Sequence, residues 1–399
     1  MDRPLKMTLP ARPRILMVGT EALHLRLPLM EQLGEAGFEV SAAGALPQPE
    51  FEDTPFDYYQ YPISRSFNPF GFRRSVKGLR EVIRQDSPDL VHATNTIPCL
   101  VAPHAVKGTG VPCIRTVTGL GSLFSADTLL YRVMQAAFRF QHRRIKNICE
   151  STIFQNPDDR DYFVEHGLSS LETTGVIYGS GIDVDGLAAQ RSSPKVLDDL
   201  RTELNLHGKT VITMVSRLMK VKGVDEFAET AATIRRSHPD TAFLLIGPAV
   251  TKGPMAVSAS ILDGNDDVQW LGLRDDVPDL LAVSDVFALP TYLREGIPRV
   301  LFEAGALKLP LITTDTPGCR ETILEGENGY LIEPRSSAAL IEAVQKLLES
   351  PQKRHDMGQR SYDLMKERFE LSIVTAAYAE LYRTTLGQEP IAQPMRKVA

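Results

Sequence analysis

The sequence predicts an α/β protein of two Rossmann-like domains facing a central cleft. Three observations carry this. Strand-length apolar runs alternate with stretches of helical periodicity, which is the pattern of a parallel sheet covered by helices. The alternation starts twice, near Arg14 and again near Thr210. The chain has 399 residues, and at roughly 150 residues per domain that suffices for two independent cores.

The first series opens with the apolar run Arg14–Gly19, a helix over Leu23–Ala36 and a strand over Phe38–Ala43. It continues with helix Phe72–Gln85 into strand Leu90–Ala93, helix Ile97–Lys107 into strand Cys113–Val117, and helix Leu129–Ile148 into strand Ser151–Gln155. The second series runs through strand Thr210–Val215, helix Val224–Ser237, strand Ala242–Ile246 and a short strand at Val268–Leu271. Helix Asp276–Val283, strand Val286–Leu289, helix Pro298–Leu307, strand Leu311–Thr314 and helix Ser337–Leu348 complete it. The polar, small-residue-rich stretch between them, broken by Ser192-Ser193-Pro194, reads as a hinge. The expected boundaries are 12–188 for the first domain, 189–208 for the linker, 209–371 for the second domain and 372–386 for a last helix. The tail 387–399, with two prolines, reads as flexible.

Composition is that of an ordinary globular protein, with 44 Lys+Arg against 50 Asp+Glu and a net charge of −6. The four cysteines are widely spaced without a C-x-x-C pair, so neither a disulfide framework nor a zinc cluster is indicated, and a reducing cytosol fits. The opening residues lack a signal-peptide core, and no apolar run approaches the ~18–20 residues of a membrane span. The mean charge hides an asymmetry. Between Arg65 and Lys146 thirteen basic residues face four acids, a net of +9, which leaves −15 on the remainder. Such a split suggests one face for an anionic partner.

Neither domain carries the dinucleotide fingerprint G-x-G-x-x-G or a G-x-x-x-x-G-K-[ST] phosphate loop, so dehydrogenase and P-loop readings lose their support. The most informative stretch is Arg294–Pro334. Glu295 lies in the loop before a helix opened by Pro298, a residue suited to the first helical position, and Glu303 lies inside that helix. The free N–H groups of residues 299–301 would then point at the cleft, as in phosphate sites at helix N-termini. Taken alone, the spacing is better described as a solvated loop acid and a surface helix acid.

In its surroundings the stretch resembles the signature of the retaining glycosyltransferases of family four, which share the GT-B fold. The resemblance rests on E-G-x-P-x-x-x-x-E from Glu295, T-D-x-P-G-C-R-E from Thr314 and N-G-Y-L-I from Asn328. Ser216–Gly223 resembles the R-L-x-x-x-K-G phosphate-clamping turn, and Gly179–Asp183 the G-x-G-I-D that closes the first domain. Val117–Gly121 resembles the T-G-L-G loop of members that build lipid-linked surface polysaccharides. The resemblance spans about residues 14 to 385.

It implies that the first domain binds acceptor, that the second binds a nucleotide-sugar, and that the last helix crosses back to the first domain. Arg217 and Lys222 would neutralise the donor diphosphate as charge builds on the leaving group. Glu303 would accept the ribose hydroxyls and Glu295 would contact the transferred sugar, with Gly296, Ile297, Pro298 and Arg299 lining the pocket. Gly247 and Leu273 would surround the base. Thr118 and Gly119 would face the acceptor, in a loop where many relatives carry a histidine; His24 and His92 are the remaining first-domain candidates. Retention is expected through front-face attack, because a paired-carboxylate mechanism would need a second acid beside Glu295 that the sequence does not identify. Neither a metal nor another cofactor is expected.

The implied partners are a nucleotide-sugar donor, a UDP-hexose or UDP-N-acetylhexosamine, and a saccharide or polyprenyl-diphosphate-linked acceptor. The basic face, Phe67–Arg84 and Leu129–Ile148, interleaves aromatic and apolar residues with cations and suits an anionic membrane surface. No nucleic-acid-binding signature accompanies those charges. The expectation is a cytoplasmic enzyme, peripheral on the inner face of the plasma membrane. A UDP-sugar epimerase on the same fold and a catalytically silent scaffold are the alternatives; the T-G-L-G loop and the Arg217/Lys222 pair favour transfer.

Overall fold

The computed structural model describes residues 12–20, 23–47, 49–64, 69–124, 128–262 and 264–388. The expected flexible tail falls almost wholly on 389–399 and, with Phe67 of the aromatic run, lies outside them.

Two all-parallel sheets form the frame. The first holds β1 (Arg14–Val18), β2 (Glu39–Gly44), β3 (Tyr58–Gln60), β4 (Leu90–Thr94), β5 (Cys113–Val117), β6 (Ser151–Phe154) and β7 (Thr174–Val176), in the order 3-2-1-4-5-6-7. The second holds β8 (Thr210–Val215), β9 (Thr241–Ile246), β10 (Gln269–Trp270), β11 (Val286–Leu289), β12 (Leu311–Thr314) and β13 (Gly329–Ile332), in the order 10-9-8-11-12-13. Strands β4, β5, β11 and β12 are buried along their whole length, as strands covered by helices on both faces must be. In both sheets the order reverses beside the first strand, and loops at the carboxyl ends of the strands there open into a crevice where ligands bind in this class of fold.

The expected central strands and helices form within a few residues of their sequence positions. Three short strands, β3, β7 and β13, add to them at the sheet edges. The expected linker 189–208 is largely a helix, Pro194–Glu203, with proline in its first turn. Its Leu200, with Leu204 and Leu206, packs on Val211 and Leu244 of the second domain. The passage between domains lies earlier, where Ile182 pairs with the returning chain: its N–H donates to Phe369 O at 3.0 Å and its carbonyl accepts from Leu371 N–H at 2.9 Å.

The returning chain becomes helix Leu371–Thr385, which docks on the first domain. Val374, Tyr378 and Tyr382 enter the core formed by Leu29, Met30 and Leu33 of helix Leu27–Glu35. Thr375 Oγ1 donates to Gln32 Oε1 (2.8 Å), and Arg383 to Ala36 O (2.7 Å). His92 is sealed beneath this helix, between Tyr382 Oη (2.6 Å) and Thr116 Oγ1 (2.8 Å). Burial lowers its pKa to about 3, which keeps the imidazole neutral. It is therefore a core residue, and the expectation of an acceptor-side role is corrected: β4 turns this side chain toward the crossing helix and away from the cleft.

Candidate active site

Strand β8 ends in the turn that carries Arg217 and Lys222. Gly223 follows at φ +82°, and a Cβ there would stand 2.2 Å from Pro290 O, so only glycine lets the turn approach the β11 loop. That approach brings Lys222 Nζ into an ion pair with Glu295 Oε1, which also lies 3.5 Å from Thr291 Oγ1. The two residues expected on the diphosphate and on the sugar thus meet directly. The helix after Glu295 runs Arg299–Ala306, with Pro298 as its N-cap, one residue outside the position expected for it. One turn in, Glu303 Oε1 accepts from Arg299 Nε at 3.0 Å.

These groups line a cavity of about 300 Å³ with Arg217, Gly247, Pro248 and Leu273. Among the described residues Arg217 forms no ion pair, which leaves its guanidinium available to an anion. Gly247 sits at φ +128°, and a Cβ would come 1.9 Å from Ser216 O, so the β9 end can lie against the turn only as glycine. Trp270 Nε1 donates to Gly247 O (3.0 Å), holding that wall.

A second cavity of about 420 Å³ opens on the other side of Glu295, lined by Arg26, Asn95, Thr118, Gly119, Gly296 and Ile297 among others. Glu295 and Arg299 border both cavities. His24 borders neither; its Nδ1 lies 4.0 Å from Glu50 Oε1, while its neighbours Leu25 and Arg26 reach the cavity.

The domains touch where the Glu295 loop meets the T-G-L-G loop. Gly296 N–H donates to Thr118 O (3.0 Å) and Gly121 N–H to Arg294 O (2.7 Å). Gly119, at φ +105°, has room for no side chain: a Cβ would lie 2.3 Å from Gly296 N. Beside this seam stands a set of residues that the sequence reading passed over. Asp159, fully buried, pairs with Arg294 Nε at 2.7 Å, and Asp158 with Arg320 at 3.0 Å. Asn156 Nδ2 lies 3.4 Å from Glu295 O, and its Oδ1 caps the helix Pro157–Glu165. Desolvation raises the Asp159 pKa despite Arg294. It also raises that of Glu321, which accepts from Gly318 N–H (2.8 Å), to about 7. The run Asn156-Pro157-Asp158-Asp159 after a strand is a legible helix start; that its acids reach the other domain is not.

Residues 26–176 match the family described as glycosyl transferase 4-like domain, and 198–364 the family of glycosyl transferases group 1. The chain is 26% identical, over 91% of its length and 96% of the relative's, to N,N'-diacetylbacillosaminyl-diphospho-undecaprenol alpha-1,3-N-acetylgalactosaminyltransferase of Campylobacter jejuni. It is 23% identical, over 75% of its length and 76% of the relative's, to UDP-Gal:alpha-D-GlcNAc-diphosphoundecaprenol alpha-1,3-galactosyltransferase of Escherichia coli. In fold it superposes on HepE of Anabaena, solved in complex with UDP-glucose, with a TM-score of 0.76 at 20% identity, over 93% of this chain and 99% of the other. Two parallel α/β domains meeting at a cleft, with both halves matched, place the chain among the group 1, family-four-like glycosyltransferases of the GT-B fold.

Proposed function

We propose that the protein transfers a sugar from a UDP-sugar to a lipid-diphosphate-linked saccharide acceptor, with retention and without a metal or other cofactor. The observation that carries this reading is the position of Glu295, at the border of two cavities. One presents Arg217 and Lys222 and suits a diphosphate leaving group; the other lies between the first domain and the Glu295 loop and suits an acceptor. The bound UDP-glucose of the fold neighbour and the diphospho-undecaprenol substrates named for the two relatives support the two substrate classes.

The donor would displace the Lys222–Glu295 and Arg299–Glu303 contacts in part. Lys222 and Arg217 would take the diphosphate charge that grows as the glycosidic bond breaks, Glu303 the ribose hydroxyls, and Glu295 the sugar. Glu295 and Glu303, the two carboxylates of the donor cavity, are each held by a cation, which suits binding roles and supports front-face attack over a paired-carboxylate mechanism. The cations do the charge work a metal would do.

The test is release of UDP from UDP-sugars with and without a polyprenyl-diphosphate-linked saccharide. Turnover should require the acceptor, survive chelators and give a product of unchanged anomeric configuration by NMR. Lys222→Ala and Glu303→Ala should each lower kcat/KM by 100-fold or more. Turnover without acceptor would favour the epimerase reading, and unaltered turnover in both variants would sink the site assignment.

Membrane contact belongs to the same proposal. Helices Pro69–Asp86 and Leu129–Ile145 flank helix Thr96–Val106, which packs on both. On the face so formed Phe70, Leu129 and Phe140 are 77%, 81% and 57% exposed among the arginines. A groove of about 560 Å³ there is lined by Arg73, Lys77, Arg84 and Lys107. No helix among the described residues is long and apolar enough to cross a membrane; with its exposed apolar side chains and cations this face would rest on an anionic surface.

A further inference from the structure

We infer that Arg26, together with the N-terminus of helix Thr96–Val106, forms a subsite for the phosphate of the acceptor. The inference rests on the proposed reading that the acceptor is diphosphate-linked, and it names the group that recognises that chemistry.

Arg26 ends the short 3-10 turn that follows β1. It is only 7% exposed, yet among the described residues it has no carboxylate partner, and its Nη1 is buried without any hydrogen bond. Its guanidinium meets the Tyr378 hydroxyl of the crossing helix. A buried guanidinium without a counter-anion is costly, and an incoming anion relieves that cost. The neighbouring cations differ. Of the other cations that line this cavity, Arg294 is held by Asp159 and Arg299 by Glu303. Arg26 alone of these three lacks its anion among the described residues, in the 420 Å³ cavity on the first-domain side of Glu295.

A second positive feature opens into the same cavity. Asn95, at φ +70°, precedes helix Thr96–Val106 without capping it, because its Nδ2 is turned to Thr118 Oγ1 at 3.2 Å. The first helical bond is Cys99 N–H to Asn95 O, and Pro98 has no N–H to offer. The N–H groups of Thr96 and Ile97 are therefore left uncapped at the positive end of the helix. Asn95 and Thr96 line the cavity with Arg26. A forked guanidinium and a free helix N-terminus together are a phosphate-binding set. The donor diphosphate has its own cations, Arg217 and Lys222, in the other cavity, so the anion awaited here is the acceptor's.

Steady-state kinetics of the full chain would compare two acceptors bearing one saccharide, linked either to a short prenyl diphosphate or to a neutral alkyl chain. Arg26→Gln should raise KM at least tenfold for the first, with less than a twofold change for the second and for the UDP-sugar; Arg26→Lys should fall between. Equal losses on both acceptors, or none, would overturn the assignment. Calorimetry separates this from the reading it rests on. Farnesyl diphosphate should bind the wild type at least tenfold more tightly than Arg26→Gln, while UDP binds both alike. If no nucleotide-sugar supports transfer, the proposed function fails and the calorimetry still decides Arg26; equal binding of farnesyl diphosphate would refute the subsite. Matching thermal unfolding of wild type and variants ensures that the comparison is between folded proteins.

Discussion

Glu321 shows how a single side chain near the seam ties stability to pH. Its carboxyl is buried and accepts from Gly318 N–H, and desolvation raises its pKa from an ordinary 4.5 to about 7. Between those values the folded chain holds a proton that the unfolded chain has released, so this group's contribution to stability falls as pH rises from about 4.5 to 7 and is level above. The difference amounts to about 3 kcal/mol at one pKa unit per 1.36 kcal/mol. Glu321→Gln keeps an acceptor for Gly318 and removes the charge. It should raise stability at pH 8 by roughly 1–3 kcal/mol while leaving pH 4.5 nearly unchanged, measured by urea unfolding across pH; a variant with the wild-type pH slope would contradict the assignment. At Gly119 the constraint is steric. The methyl of Gly119→Ala would press on the Glu295–Gly296 backbone, so turnover should fall at least 100-fold while nucleotide binding by calorimetry falls less than threefold; retained turnover would show that the seam yields. At this scale the sequence is legible where a motif is local: Glu295, Glu303, Arg217 and Lys222 border one cavity, although Gly296 and Ile297, expected beside them, line the other. His92 was not legible, because a strand residue shows its period but not which neighbour covers it.

Between elements, the seam is held by the acids that open helix Pro157–Glu165 and by the arginines beside the Glu295 loop. Asp159 and Arg294 form the buried member of this set, with Arg294 also 5.4 Å above the Tyr162 ring. Removing one partner leaves the other uncompensated, so single substitutions overstate the pair. A double-mutant cycle of Asp159→Asn and Arg294→Gln should yield a coupling of about 1–3 kcal/mol in thermal or urea unfolding, with kcat more affected than the KM for donor because the pair sets where Glu295 stands. Additive effects on stability and kcat would show that the two residues act separately. The central strands were readable from apolar runs of period-free, fully buried type, and their helices from 3.6-residue spacing. Strands β3 and β7 were not, since three residues at a sheet edge carry too short a pattern. Helix Pro194–Glu203 was hidden by its own start signal: Ser192-Ser193-Pro194 reads as a breaker, yet proline in a first helical turn opens a helix as readily as it ends one.

For the whole molecule the question is what the uneven charge is for. The segment from Arg65 to Lys146 carries +9 on a chain of net −6, and the two helices that hold most of its cations pack on a common third helix. Helices Pro69–Asp86 and Leu129–Ile145 flank this third helix and expose Phe70, Leu129 and Phe140, with the Arg144 guanidinium over the Phe140 ring. Not all of that charge is free. Arg80 is spent on the carbonyls of His104 and Ala105, and Arg84 pairs with Glu81. Arg73, Lys77 and Lys107 form no ion pair among the described residues. Each such cation near an anionic bilayer contributes about 1 kcal/mol, screened over a Debye length of about 8 Å at physiological salt. A few of them with inserted apolar side chains give reversible binding. The full chain should therefore sediment with vesicles containing roughly a third anionic lipid, less so with neutral ones, and be released by about 0.5 M salt. Arg73→Glu with Lys77→Glu should weaken this at least tenfold without changing turnover on a water-soluble acceptor, since neither residue borders the cleft cavities. Leu129→Ser with Phe140→Ser should reduce the salt-resistant fraction. Equal binding to neutral vesicles, or binding unmoved by the charge reversals, would mean that the basic face serves another partner.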